Sequence, residues 1–125
     1  MKPVKIMAVD DNKEFLEELQ ETLKLSGYKV CTSSDTQGII EKINDYKPSI
    51  LLLDLKMAPK SGFQIADEIR HFSKCQNLNI IAMSGYLKDT EYQTLMRMCG
   101  IKSFLRKPIY PLNLIAQIEL QTKNL

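Results

Sequence analysis

The chain has 125 residues, of which 44% are hydrophobic and 26% charged, the make-up of one globular domain with too little length for a second core. Seventeen basic against fifteen acidic residues leave a net charge of +2, which gives no bulk electrostatic case for nucleic acid or an anionic membrane as a direct partner. No apolar run approaches the roughly 18 residues of a membrane span, and the first ten residues lack the features of a secretion signal, so the expected location is cytoplasmic.

Val4 to Val9 is short and apolar and is followed at once by Asp10 and Asp11, which predicts a first strand. Phe15, Leu16, Leu19 and Leu23 recur at helical spacing, with Gly27 placed as the stop. Tyr28 to Thr32 makes a second strand. Ile39, Ile40 and Ile43 mark a helix that must end before Pro48, because proline disfavours helix in the residue before it. Ser49 to Asp54 contains the unbroken run Ile50-Leu51-Leu52-Leu53, the pattern of a strand covered on both faces. Ile65, Ala66, Ile69 and Phe72 line a third helix, and Leu78 to Met83 forms a fourth strand. Tyr92, Leu95, Met96 and Cys99 line a fourth helix closing near Gly100. Lys102 to Arg106 gives a fifth strand, and Leu114, Ile115 and Ile118 mark a last helix.

Five βα units in succession predict a single doubly wound α/β domain over residues 1–125, with a parallel sheet and helices on both faces. Cys31, Cys75 and Cys99 are odd in number and lack metal-ligand spacing, so they read as reduced thiols, and His71 stands alone as a structural residue.

In an open parallel sheet, ligands bind beyond the carboxyl ends of the strands. The polar residues at those ends are Asp10 and Asp11 after the first strand, Asp54 after the third, Ser84 after the fourth and Lys107 after the fifth. Separately each has an ordinary reading: Asp10 and Asp11 as a helix cap, Ser84-Gly85 as a turn, Lys107 as a solvated charge. Together they are three carboxylates, one hydroxyl and one ammonium at one edge. Clustered carboxylates repel, and hard oxygen donors without imidazole or thiolate favour magnesium, with manganese as a substitute. A carboxylate nucleophile, an ammonium and a hydroxyl suit phosphoryl transfer, which needs positioning and neutralisation of oxygen charge.

The ordered set, with Lys107-Pro108 after the fifth strand, resembles the receiver domain of two-component response regulators over essentially the whole chain. The resemblance implies a flavodoxin-like strand order 2-1-3-4-5 and Asp54 as phosphoacceptor. It implies Asp10, Asp11, Asp54 and the backbone carbonyl of Lys56 as magnesium ligands, Lys107 as partner of the phosphoryl group, and a cis peptide before Pro108. Ser84 and Phe104 take the places of the family's switch residues. The implied donor is a sensor histidine kinase or histidine phosphotransfer protein, and the implied output a downstream protein target or output domain engaged through the fourth helix, fifth strand and fifth helix. That region carries Lys88, Arg97, Lys102 and Arg106, with Tyr92 and Tyr110 nearby.

Two positions depart from the family. Gly62 keeps its place eight residues after Asp54, but Ala58 stands where proline is usual and Pro59 follows one later, which bears on the loop after the third strand. Phe104 lacks the hydroxyl of the tyrosine often found there. Lys56 and Tyr86, each two residues after a site residue, are expected to flank the phosphoryl group and lengthen the life of the phosphoform. The chain is read as a phosphoacceptor that assists its own phosphorylation and dephosphorylation, not as an enzyme. The competing readings are a receiver-like adaptor that is never phosphorylated, and a fragment of a longer regulator or hybrid kinase. A magnesium-dependent phosphatase is disfavoured by Lys56, where a second acid is usual. No output domain is expected within the 125 residues, and oligomeric state is left open between a monomer and a homodimer formed on phosphorylation.

Overall fold

The computed structural model describes residues 3–72, 78–85 and 90–123. The expectations placed on Cys75, Tyr86 and Lys88, and on the side chain of Phe72, lie outside the described residues.

The chain alternates strand and helix from end to end: β1 (Lys5–Val9), α1 (Lys13–Leu25), β2 (Lys29–Ser33), α2 (Ile39–Tyr46), β3 (Ile50–Asp54), α3 (Gly62–Phe72), β4 (Asn79–Ser84), α4 (Thr90–Met98), β5 (Ser103–Arg106) and α5 (Pro111–Thr122). All pairings are parallel and the order is β2-β1-β3-β4-β5, as the resemblance implied.

Period-two alternation in the strands sorts the core into two layers. Met7, Val9, Leu51 and Leu53 pack with Ile39 and Ile43 of α2, Ile65, Ala66 and Ile69 of α3, and Met96 of α4. Ile6, Ala8, Ile50 and Leu52 face the other way, onto Leu16, Leu19 and Leu23 of α1 and Leu114 and Ile118 of α5. Every residue of β3 is buried, which accounts for its uninterrupted apolar run from Ile50 to Leu53.

Helix ends follow local chemistry. The α1 cap is Asn12, whose side chain accepts from the Phe15 N–H at 3.1 Å, so capping is not the role of Asp10 or Asp11. Gly27, at φ 90°, closes the helix. Lys47, at φ 54°, ends α2 directly before Pro48. α3 starts with a capping box: Ser61 N–H donates to Gln64 Oε1 at 2.8 Å, and Gln64 N–H donates to Ser61 Oγ at 3.2 Å. No helix among the described residues is long and apolar enough to cross a membrane.

At the amino ends of β4 and β5, away from the carboxyl edge, Arg70 ties three segments together. Its guanidinium donates to the carbonyls of Leu78 at 2.8 Å, Gly100 at 3.0 Å and Cys99 at 3.4 Å. Arg70→Ala is expected to lower stability to urea by about 2 kcal/mol, from the loss of charge-assisted bonds to partly buried carbonyls. Arg70→Lys should rescue little of this, since a single ammonium cannot span three divergent acceptors. Urea titrations of the two variants check both expectations.

Candidate functional site

The topology reverses between β1 and β3: the chain leaves β1 for β2 on one side and returns to β3 on the other. The carboxyl ends of β1 and β3 therefore border a crevice with helices diverging from it, the usual binding position in such sheets. Asp10 directly follows β1 and Asp54 is the last residue of β3, and both are buried. Asp11 is exposed. One carboxylate oxygen from each of Asp10, Asp11 and Asp54 lies within 4.8 Å of the others.

Lys107, just past β5, reaches across two strands into this cluster. Its Nζ stands 2.7 Å from Asp10 Oδ2 and 3.3 Å from Asp54 Oδ1. The Lys107–Pro108 peptide is cis, as is Ala58–Pro59 in the loop after β3, the loop where the prolines depart from the family pattern. Lys107 N–H donates to the Ser84 carbonyl at 3.0 Å, which ties the β5 end to the β4 end. Asp10 is held by its own backbone, with its N–H on the Ser33 carbonyl at 3.2 Å, while its Oδ1 accepts from Asn12 N–H at 3.0 Å.

The electrostatics follow from burial and crowding. Burial, then the charge of Asp10, pushes the Asp54 carboxyl from its ordinary 3.8 up to about 6, although Lys107 and a backbone hydrogen bond from Lys56 pull the other way. Burial alone would lower Lys107, but its hydrogen bond to Asp10 and the charges of Asp54 and Asp10 outweigh that, and the net displacement is upward. The ammonium is thus locked in its charged form. Three carboxylates against one ammonium leave two uncompensated negative charges when all are ionised. The donor set is oxygen only, so a hard divalent cation fits both the charge and the ligand chemistry.

The remaining sequence-derived positions sit around this centre. Ser84 ends β4, fully buried, and Met83 before it is in register with Asp54. Phe104 lies on the edge strand β5 and is 51% exposed. Lys56 is exposed in the loop after β3. Gly62, the first residue of α3, packs directly on the chain leaving β3: a Cβ there would lie 2.2 Å from the Asp54 carbonyl oxygen.

One contact was not legible in the sequence. The Lys107 ammonium stands over the ring of Phe15, 4.7 Å from its centroid. Phe15 reads by spacing as one more residue of the apolar stripe of α1, and nothing local marks it as a neighbour of a lysine 92 positions later (107 − 15).

The sequence profile of the response regulator receiver domain matches residues 6–119. The PhoP regulator of alkaline phosphatase synthesis from Bacillus subtilis is 28% identical over 92% of this chain, which spans only 47% of that longer protein. An uncharacterized 14.6 kDa protein of Leptolyngbya boryana is 26% identical, covering 91% of this chain and 86% of that one. Among solved structures, the Vibrio cholerae chemotaxis protein CheY4 superposes with a TM-score of 0.88 at 23% identity, over 94% of this chain and 98% of that one, a likeness of fold. With the profile covering nearly its whole length, the chain belongs to the response regulator receiver domain family of two-component systems.

Proposed function

We propose that this receiver takes a phosphoryl group on Asp54 from a phosphohistidine of a sensor kinase or phosphotransfer protein, and thereby switches the surface formed by α4, β5 and α5. The observation that carries this reading is the convergence, at the switch point of the sheet, of the buried carboxylate that ends β3 with the ammonium that follows β5 and the two carboxylates that follow β1. An Asp54 Oδ attacks phosphorus, an O–P bond forms, the P–N bond breaks, and the imidazole keeps the electron pair and takes a proton.

Asp10, Asp11, Asp54 and the Lys56 carbonyl would hold Mg2+, or Mn2+ in its place, which when bound offsets the charge between nucleophile and anionic donor. The chain's own residues do the rest. Lys107, fixed in its charged form beside Asp54, pairs with the phosphoryl oxygens. Ser84, buried at the end of β4, donates its hydroxyl to one of them and draws the β4–α4 connection inward. Phe104, half exposed on the edge strand, then repacks. Five of the six large apolar side chains exposed among the described residues, Met98, Phe104, Tyr110, Leu112 and Leu120, lie on α4, β5, α5 or the β5–α5 connection, which supports this face as the one read by a protein target or an output domain. The free protein samples the switched state to a small extent, and phosphorylation shifts the population. In this role the domain is a phosphoacceptor rather than an enzyme with a separate substrate.

The test is intact mass after incubation with a small acyl or amido phosphate, with and without magnesium. Wild type should gain one phosphoryl group only with the metal, and Asp54→Ala none. No gain with any donor would overturn the reading and leave a receiver-like adaptor. Lys56 is exposed and its backbone N–H donates to the Asp54 carboxylate; on this reading its stem flanks the phosphoryl group and hinders the hydrolytic water, so Lys56→Ala should lose phosphate severalfold faster. An unchanged lifetime in a phosphate-release assay would remove Lys56 from that role.

A further inference from the structure

Phe15 is placed to act on Lys107. Its backbone is fixed at the start of α1, where the Phe15 N–H donates to the Asn12 side chain at 3.1 Å, and its side chain packs against the apolar layer shared by α1 and α5. The ring presents a face to the Lys107 ammonium at 4.7 Å, on a lysine side chain only 29% exposed. A cation within about 6 Å of a ring centroid is attracted by the negative face, and more strongly as water is excluded. The same ammonium touches Asp10 at 2.7 Å and Asp54 at 3.3 Å, two of the three carboxylates that converge in the site. A divalent cation seated among those carboxylates competes with the ammonium for Asp10 and Asp54. Whatever stabilises the ammonium where it stands therefore opposes the cation.

We propose that Phe15 is a positioning residue that holds the Lys107 ammonium in its Asp10-paired resting place, and so weakens the site's affinity for magnesium. The inference rests on the metal-binding reading above. Its size follows from a single partly desolvated ring contact, about a two- to fivefold change in dissociation constant. Phe15→Leu keeps an apolar side chain in the layer and removes the charged face, whereas Phe15→Tyr keeps both.

The experiment measures Mg2+ dissociation constants on the full chain, by competition with Mn2+ followed by electron paramagnetic resonance. The proteins are wild type, Phe15→Leu, Phe15→Tyr, Lys107→Met and the Phe15→Leu/Lys107→Met double variant. Phe15→Leu should bind about two- to fivefold more tightly, Phe15→Tyr should match wild type, and Lys107→Met should bind more tightly than Phe15→Leu. In the Lys107→Met background Phe15→Leu should have no further effect, because the ring then has no cation to hold. A purely structural Phe15 would shift both backgrounds alike, and that result, or an unchanged constant in Phe15→Leu, overturns the proposal. If Phe15→Leu fails to fold, a ring-fluorinated phenylalanine at position 15 keeps the shape while withdrawing the negative face, and must tighten binding in the same sense. If neither wild type nor Lys107→Met binds Mg2+, the metal reading itself fails, and this inference with it. Binding by both with no response at position 15 overturns this inference alone.

Discussion

Gly62→Ala is expected to lose about 3 kcal/mol of stability and most of its capacity for phosphorylation at Asp54. A Cβ at this position meets the Asp54 carbonyl oxygen at 2.2 Å, the Leu55 Cα at 2.8 Å and the Asp54 carbonyl carbon at 3.0 Å. All three are backbone atoms, so no rotamer change relieves the contact. Either α3 backs away from the sheet or the end of β3 shifts. The first breaks the bond from Gly62 N–H to the Leu55 carbonyl and loosens the layer holding Ile65 and Ile69. The second moves Asp54 relative to Lys107 and Asp10, where small displacements matter because catalysis by positioning depends on them. Gly85→Ala is the control. Gly85 follows Ser84 at the same edge of the sheet, but a Cβ there meets nothing within 4 Å, so its stability should stay within about 0.5 kcal/mol of wild type. Denaturant titration of both variants, with intact-mass phosphorylation, reads the two consequences. A Gly62→Ala protein as stable and as reactive as wild type would show that α3 is not pressed onto the phosphoacceptor strand.

Gly62 also marks where sequence reading stops. Its identity was legible as part of a family pattern, but its reason lies in the approach of a helix to a strand eight residues earlier, which no local rule contains. The fold itself was open to the sequence because its signals are local and periodic. The buried run Ile50-Leu51-Leu52-Leu53 names a two-sided strand, the stripe Leu16, Leu19, Leu23 names a helix face, and Gly27 and Pro48 set ends that the structure keeps. Strand order came only from the family resemblance, since periodicity does not say which strand neighbours which. The convergence of Asp10, Asp11, Asp54 and Lys107 was legible for a topological reason: parallel strands put every carboxyl end at one edge. What the edge rule cannot give is which pairs touch. It offered no ground for Lys107 favouring Asp10 over Asp54, nor for Phe15 covering the ammonium while it packs in the helix stripe. The S-x-x-Q start of α3 was present in the sequence as a capping box, and Asn12 stood beside the two aspartates that drew attention as a cap.

Asp54→Asn should stabilise the protein, free of divalent metal at neutral pH, by on the order of 2 kcal/mol. The folded carboxyl titrates near 6 against an ordinary 3.8, raised by burial and then by Asp10. Between those values the folded state holds a proton that the unfolded chain has released. Stability from this group is therefore fully present below about 3.8 and is lost as pH rises through 6. At pH 7 and above the wild type carries the whole cost of an ionised Asp54 beside Asp10. The amide has nearly the same shape, leaves Lys107 its bond to Asp10, and carries no charge to repel. The melting temperature of Asp54→Asn should exceed that of wild type at pH 7.5, and the difference should shrink as pH falls to about 4, where both side chains at position 54 are largely neutral in the fold. Millimolar magnesium should narrow the gap from the other side, by stabilising the wild type in proportion to its occupancy while the amide, a poorer ligand, gains less. A gap that stays constant from pH 4 to 7.5 would mean that the extra stability of the amide does not come from relieving charge. A wild type more stable than Asp54→Asn across that range would mean that the ammonium and the backbone hydrogen bond outweigh burial, and that the resting site is not held under electrostatic stress.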